Sequence, residues 1–150
     1  MTDETQIDSS AEPMPKLPFV AAVVALIGLV DAVYLTVHHY TAEPVPCSIV
    51  AGCETVLTSS YATIGEIPLA AFGAAAYFFA FSLALLAGFG NRLMWTLFGV
   101  QAILMSLFTA WLIYLQAVVL GAFCQFCLLS AATTLTLLVL YIVSKFRGRN

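Results

Sequence analysis

The sequence predicts an all-α membrane protein, a bundle of four transmembrane helices with a short interfacial helix in the first outer loop. Three observations carry that prediction. Of the 150 residues 62% are hydrophobic and only 9% are charged, and a mean hydropathy of +1.01 lies outside the range of a domain with a water-facing surface. Four runs, 17–40, 67–89, 93–119 and 122–144, each reach the roughly 20 apolar residues that a helix needs to cross the hydrocarbon layer. With four crossings, all five basic residues fall on one side: Lys16 before the first run, Arg92 in the second connection, and Lys145, Arg147 and Arg149 after the last. The positive-inside rule makes that side the cytoplasm, so both termini are expected there and the first and third connections face outward.

Residues 1–16 are polar, acidic and broken by Pro13 and Pro15, and nothing in them can be buried. They are expected to form a disordered cytoplasmic tail. They lack a basic start followed by an apolar core, so the first span reads as a retained signal-anchor. Residues 17–146 then make one helical domain and 147–150 a short cytoplasmic end. The first span carries Asp31, roughly 20 Å from its cytoplasmic end at 1.5 Å per residue. An ionisable group at that depth is expected to face the bundle interior, with Tyr34 and His38 on the same helical face. Two readings stay open: an interhelical hydrogen bond made by a carboxyl group, or a proton route to a buried redox site. His38 and His39 are adjacent, point in different directions on a helix and make a poor chelating pair.

The connection 41–65 holds Cys47 and Cys53, with Gly52 expected to permit a tight bend before Cys53. Val56, Leu57, Ser60 and Tyr61 are spaced for a short surface helix over 54–61. The second span is expected to begin at Pro68, a residue tolerated in a helix's first turn. Leu69, Gly73 and Tyr77 then share one face, and Gly73 admits the close approach of either a neighbouring helix or a flat ligand. The third span is plain apart from Gln101, Trp111, Tyr114 and Gln116, and its outer aromatics suit an interfacial belt.

The last span opens on Cys124-Gln125-Phe126-Cys127, just after Gly121. Two thiols three residues apart on a helix share a face, within disulfide reach of one another. The helix N-terminus favours negative charge, which makes Cys124 the expected thiolate. Three chemistries are compatible with one pair on a mobile loop and one on a helix end. The pairs can exchange electrons, the loop pair taking them from a soluble dithiol protein outside and the helix pair passing them to a membrane-soluble acceptor. Alternatively, the four cysteines serve a membrane metal-binding or transport protein as ligands, although Cys47 and Cys53 are spaced too widely for a zinc knuckle. A purely structural staple is the third, and a bundle in lipid has little need of one.

At these residues the chain resembles a bacterial member of the vitamin K epoxide reductase family, in a stand-alone form without a fused thioredoxin-like domain. The resemblance rests on Asp31 with Tyr34-Leu35-Thr36, Cys47 and Gly52-Cys53, Ser59 with Tyr61, Pro68-Leu69 with Phe72-Gly73 and Tyr77, and Cys124-x-x-Cys127 opening the last span. It implies a quinone-dependent thiol oxidoreductase of the bacterial inner membrane that supports disulfide bond formation. The implied partner is a separate exported thioredoxin-fold (DsbA-like) protein, and the implied acceptor is ubiquinone or menaquinone. It further implies that Cys47 meets the partner, Cys53 reaches Cys124, and Cys127 lies beside the quinone. Ser59 is implied to close over a pocket formed with Phe72, Gly73, Tyr77 and Phe126. Animal members carry a tyrosine four residues after the last cysteine, where this chain has Ala131, and no asparagine matches their second-span position. Those departures point to a respiratory quinone rather than a vitamin K epoxide.

Overall fold

The computed structural model describes residues 16–148. Of the tail expected over 1–16, residues 1–15 lie outside the described residues, as does Arg149 among the basic residues, whereas Lys16 is already helical and opens the first span. Among the described residues four helices are long and apolar enough to cross a membrane, spanning Lys16–Thr41, Leu69–Gly88, Arg92–Leu120 and Gln125–Arg147. In chain order the elements are α1 (Lys16–Thr41), α2 (Cys53–Leu57), β1 (Thr63–Ile64), β2 (Ile67–Pro68), α3 (Leu69–Gly88), α4 (Arg92–Tyr114), a π-helical segment (Leu115–Leu120) continuing α4, and α5 (Gln125–Arg147).

The bundle packs through small residues, as helices in lipid must when no hydrophobic gain separates protein from solvent. Ala21, Ala22, Ala25 and Ala32 of α1 meet Ala80 and Ala84 of α3 in one buried cluster with Tyr77, Phe98 and Leu137. Gly28 gives way to the Tyr77 ring and Gly99 to the Tyr141 ring; a Cβ at either glycine would overlap the aromatic. Large apolar side chains such as Val23, Val30, Leu104 and Leu107 point outward. In water that would be a defect, and against acyl chains it is the expected surface. Polar bonds between helices are few and specific: Gln101 Nε2 of α4 donates to the Ala76 carbonyl of α3 at 2.6 Å, and Trp95 Nε1 donates to Ser144 Oγ at 2.7 Å. Arg92, Lys145 and Gly148 line one depression, which puts the start of α4 beside the end of α5.

Several boundaries differ from the sequence reading. Pro68 does not begin a helix: it takes extended backbone (φ −65°, ψ 140°) as the residue before α3 and pairs with Thr63 in a two-stranded antiparallel ribbon. The turn of that ribbon is Gly65-Glu66, with Gly65 at φ +66°. Hydropathy alone does not reveal a hairpin this short. The surface helix is α2, starting at Cys53 and ending at Leu57 rather than covering 54–61. Residues beyond it turn instead, Ser59 N–H donating to the Val56 carbonyl and Ala62 N–H to the Ser59 carbonyl. The last helix begins at Gln125, not at 122, because Gly121 takes a left-handed conformation (φ 60°, ψ 23°) and the chain then runs extended to Cys124.

Candidate active site

Cys124 is the residue before the first turn of α5, in extended backbone (φ −107°, ψ 124°), and its carbonyl accepts the Leu128 N–H at 3.0 Å. Cys127 falls within that first turn, so the two thiols share the mouth of the helix as their spacing requires. Neither is in a disulfide, whereas Cys47 and Cys53 are bonded to each other with Cα atoms 6.2 Å apart. Cys53 is 1% exposed and Cys124 0%, and with Val56 they form a single apolar nest. Cys47 and Cys127, both partly buried, pack against that nest. The loop pair and the helix pair are therefore brought together, with Cys53 and Cys124 at the centre.

Close approach of the main chain permits this. The chain does turn at Gly52, just before Cys53, but with a backbone open to any residue (φ −101°, ψ 2°), so the turn alone does not call for glycine. A Cβ there would stand 2.7 Å from the Phe123 carbonyl oxygen and 2.8 Å from the Phe123 nitrogen. The missing side chain lets the loop lie directly on the extended segment that leads into Cys124.

A residue that the sequence singles out in the third span without showing its role supports Cys124 from the other side. Gln116 is 4% exposed, in the π-helical segment, and its Oε1 accepts the Cys124 N–H at 3.1 Å. Its own carbonyl accepts the Ala122 N–H at 3.1 Å. One residue thus ties both ends of the turn around Gly121. The signal was available: an amide in an apolar span needs a partner, and the orphan N–H groups at a helix start are natural ones. Cys124 stands just outside the membrane-spanning part of α5. A hydrogen bond from the Cys127 thiol holds the Cys124 thiol below its ordinary pKa, outweighing burial, and the N–H groups of Cys127 and Phe126 add to the effect. The expectation that Cys124 is the readier thiolate agrees in direction with this environment.

Behind the pair lies a cavity of about 1050 Å³ among α1, α3, α4 and α5, covered by the connection from α2 to β2. Asp31, Ser59, Phe72, Gly73, Tyr77 and Cys127 all line it. Asp31 is 6% exposed and neither carboxylate oxygen has a hydrogen-bond partner among the described residues. Ser59 Oγ donates to the Val56 carbonyl at 2.7 Å. The Tyr77 hydroxyl lies 2.7 to 2.9 Å from the Ser130 carbonyl and the hydroxyls of Ser130, Thr133 and Thr134, tying α3 to α5 beneath the cavity. Gly73 lines the cavity, and a Cβ there would also touch the Ala32 Cβ of α1 at 3.8 Å, so this position borders both the cavity and the neighbouring helix.

Phe126 is placed differently from the other residues expected around a cofactor. It packs on the cysteine nest and against the Tyr34 ring, centroids 5.4 Å apart, and is not part of the cavity wall. Tyr34 also packs against the His38 ring, centroids 4.3 Å apart and planes tilted by 55°, and of the face expected around Asp31 only His38 reaches the cavity. Among the described residues no three side chains of His, Cys, Asp or Glu are placed to share a metal ion.

A multi-pass helical bundle with two dithiols meeting at one end of an internal cavity defines a class, the membrane-embedded thiol-redox proteins. Residues 19–142 match the Vitamin K epoxide reductase family, and the chain belongs to that family. It is a thiol oxidoreductase of that family, whose activity implies a quinone as electron acceptor. The cavity suits such a group. Its volume is that of a small-molecule site, its walls are largely apolar, the Cβ space at Gly73 is open to a flat ring, and Asp31 supplies unpartnered buried oxygens.

Proposed function

We propose that this protein reoxidises an exported thioredoxin-fold, DsbA-like protein and passes the electrons to ubiquinone or menaquinone, with both termini in the cytoplasm and all four cysteines at the outer face. The observation that carries this reading is the order of the sulfurs. Cys47 is half-buried at the rim, Cys53 and Cys124 are buried together, and Cys127 reaches the cavity.

The steps balance as thiol–disulfide exchanges. A thiolate of the reduced partner attacks Cys47, forming a mixed disulfide and releasing Cys53 as a thiolate. The partner's second thiol then resolves the mixed disulfide, so that the partner leaves oxidised and Cys47 is a thiol. Cys53 attacks Cys124 of an oxidised Cys124–Cys127 pair, and Cys127 leaves as a thiolate on the cavity wall. Cys47 resolves the Cys53–Cys124 bond, restoring the loop disulfide and leaving the helix pair as a dithiol. A quinone held in the cavity would supply the two-electron oxidant; the Cys124–Cys127 dithiol gives up two electrons and two protons and returns to its disulfide. Cys127 is the sulfur placed to face the ring, Asp31 the group placed to carry a proton, and Ser59, Phe72, Gly73 and Tyr77 shape the walls. Lys16, Arg92, Lys145 and Arg147 support the orientation, since the helix ends that carry them gather opposite the cysteines.

The test is anaerobic mixing of the purified protein with a reduced thioredoxin-fold partner and a soluble quinone analogue, followed by quinol absorbance. Cys127→Ser is expected to form the mixed disulfide with the partner and to reduce no quinone. Normal quinone turnover by this variant would overturn the terminal role given to Cys127.

A further inference from the structure

Gln125, the first of the two residues between the helix cysteines, uses both ends of its side chain on the loop. Its Oε1 accepts the Ile49 N–H at 3.0 Å and its Nε2 donates to the Pro46 carbonyl at 3.4 Å. The first contact fixes the orientation of the amide, because a backbone N–H can only donate and must face the oxygen. These two backbone groups bracket Cys47, one residue before it and two after. On the far side of the same loop, Gly52 rests on the Phe123 backbone. The loop is thus pinned at both ends of its disulfide to the residues flanking Cys124.

We propose that Gln125 is a positioning residue for the exchange between the two pairs: a clasp that fixes the loop's register so that Cys53, and not Cys47, meets Cys124. This rests on the relay described above and adds to it the element that chooses the reacting sulfur. The need for a chooser is chemical. Cys47 and Cys53 are equivalent once reduced, they are joined by only five residues, and an unregistered loop could present either to Cys124. Attack by Cys47 would leave the partner-facing sulfur sequestered in the apolar nest. With Pro46 and Ile49 held by the amide, the Cys47 sulfur stays at the rim while α2 carries Cys53 inward. Exposed hydrogen bonds to backbone are individually modest, which suits a clasp that must yield when a partner takes hold of Cys47.

The test uses the full chain in lipid nanodiscs with Cys127→Ser, which leaves Cys47, Cys53 and Cys124 to partition among three disulfides in a glutathione redox buffer without quinone or partner. Non-reducing proteolysis and mass spectrometry count the Cys53–Cys124, Cys47–Cys124 and Cys47–Cys53 links. With Gln125 present, Cys53–Cys124 is expected to dominate over Cys47–Cys124. Gln125→Leu is expected to lower that ratio about threefold to tenfold, the range that one net hydrogen bond accounts for. Gln125→Glu keeps an acceptor for Ile49 N–H and is expected to fall between the two, a gradation that loss of fold would not produce. Equal ratios in all three proteins would overturn the clasp while leaving the relay standing. Absence of any Cys53–Cys124 link in the Gln125 parent would overturn the relay itself, and the clasp with it.

Discussion

Adding one methyl group at Gly52 tests whether docking of the loop limits electron transfer. In Gly52→Ala the new Cβ would face the Phe123 oxygen at 2.7 Å, the Phe123 nitrogen at 2.8 Å and the Ala122 Cβ at 3.0 Å. Carbon contacts are comfortable from about 3.5 Å, so the loop or the extended segment must retreat by roughly 0.8 Å. Both opposing atoms at Phe123 are main chain, so no change of rotamer relieves the overlap. Overpacking of this kind costs about 1–3 kcal/mol, which lowers a docking equilibrium by roughly fivefold to 150-fold at 1.4 kcal/mol per factor of ten. Because Gly52 has negative φ, the alanine itself brings no backbone strain, and the effect is one of contact alone. The assay is stopped-flow quinol formation from reduced partner. Its control, with the Cys47–Cys53 disulfide intact, is the yield of mixed disulfide at Cys47 formed by a partner whose second active-site cysteine is replaced by Ser. Slower quinol formation by at least fivefold with an unchanged mixed-disulfide yield is the expected result. Turnover within twofold of the parent would refute the claim that main-chain contact at Gly52 seats Cys53 on Cys124.

Two further substitutions probe the cavity. Gly73→Leu places a branched side chain where only the Ala32 Cβ stands nearby, at 3.8 Å; the expected outcome is a rise of about tenfold or more in the KM for quinone, in line with the worth of a few methylenes in an apolar pocket, with the thermal unfolding midpoint in detergent unchanged, and an unaltered KM would separate Gly73 from the ring's site. Asp31→Asn keeps size but removes the ionisable group from the cavity wall; quinone turnover is expected to fall about a hundredfold, the usual weight of a positioned acid or base, with an altered pH profile, and unchanged turnover and profile would remove Asp31 from the proton route.

The four spans were legible because lipid demands length and apolarity, and both are written in plain residue counts. The cysteine positions and the family resemblance were legible for a similar reason, since reactive residue types stand out in a chain with 9% charged residues. What stayed hidden depended on pairings distant in sequence. The turn at Gly52 is local and was legible, but nothing around Gly52 announces that it will face Phe123, which lies far along the chain. Gln116 was visible as a polar residue in a span, but its partner is the Cys124 N–H across a left-handed turn at Gly121. Phe126 shows the limit of motif reasoning: its place between the cysteines suggested the quinone site, yet the helix start turns it toward Tyr34 and the nest. The ribbon of β1 and β2 was missed because two-residue strands leave no alternation to read.

The distribution of burial argues for a division of labour between reactivity and access. Thiol–disulfide exchange is promiscuous in water, and any exposed thiol could divert a mixed disulfide. Here Cys53 and Cys124 are closed off, so in the proposed relay the inner exchange would be selected by contact rather than by nucleophilicity. In the proposed relay the burden of recognition then falls on Cys47 alone, the half-buried loop sulfur, which a bulky protein would approach without opening the nest. It also explains why Cys124 needs so much support. A buried sulfur that must carry charge during exchange loses the help of water, and the Cys127 thiol with the N–H groups of Phe126 and Cys127 supplies a substitute. On the other side, Cys127 lines the largely apolar cavity, so in the proposed relay an acceptor there would meet it away from solvent thiols. The same protein wall would then keep the partner's chemistry and the acceptor's chemistry apart while leaving one path of sulfur atoms between them.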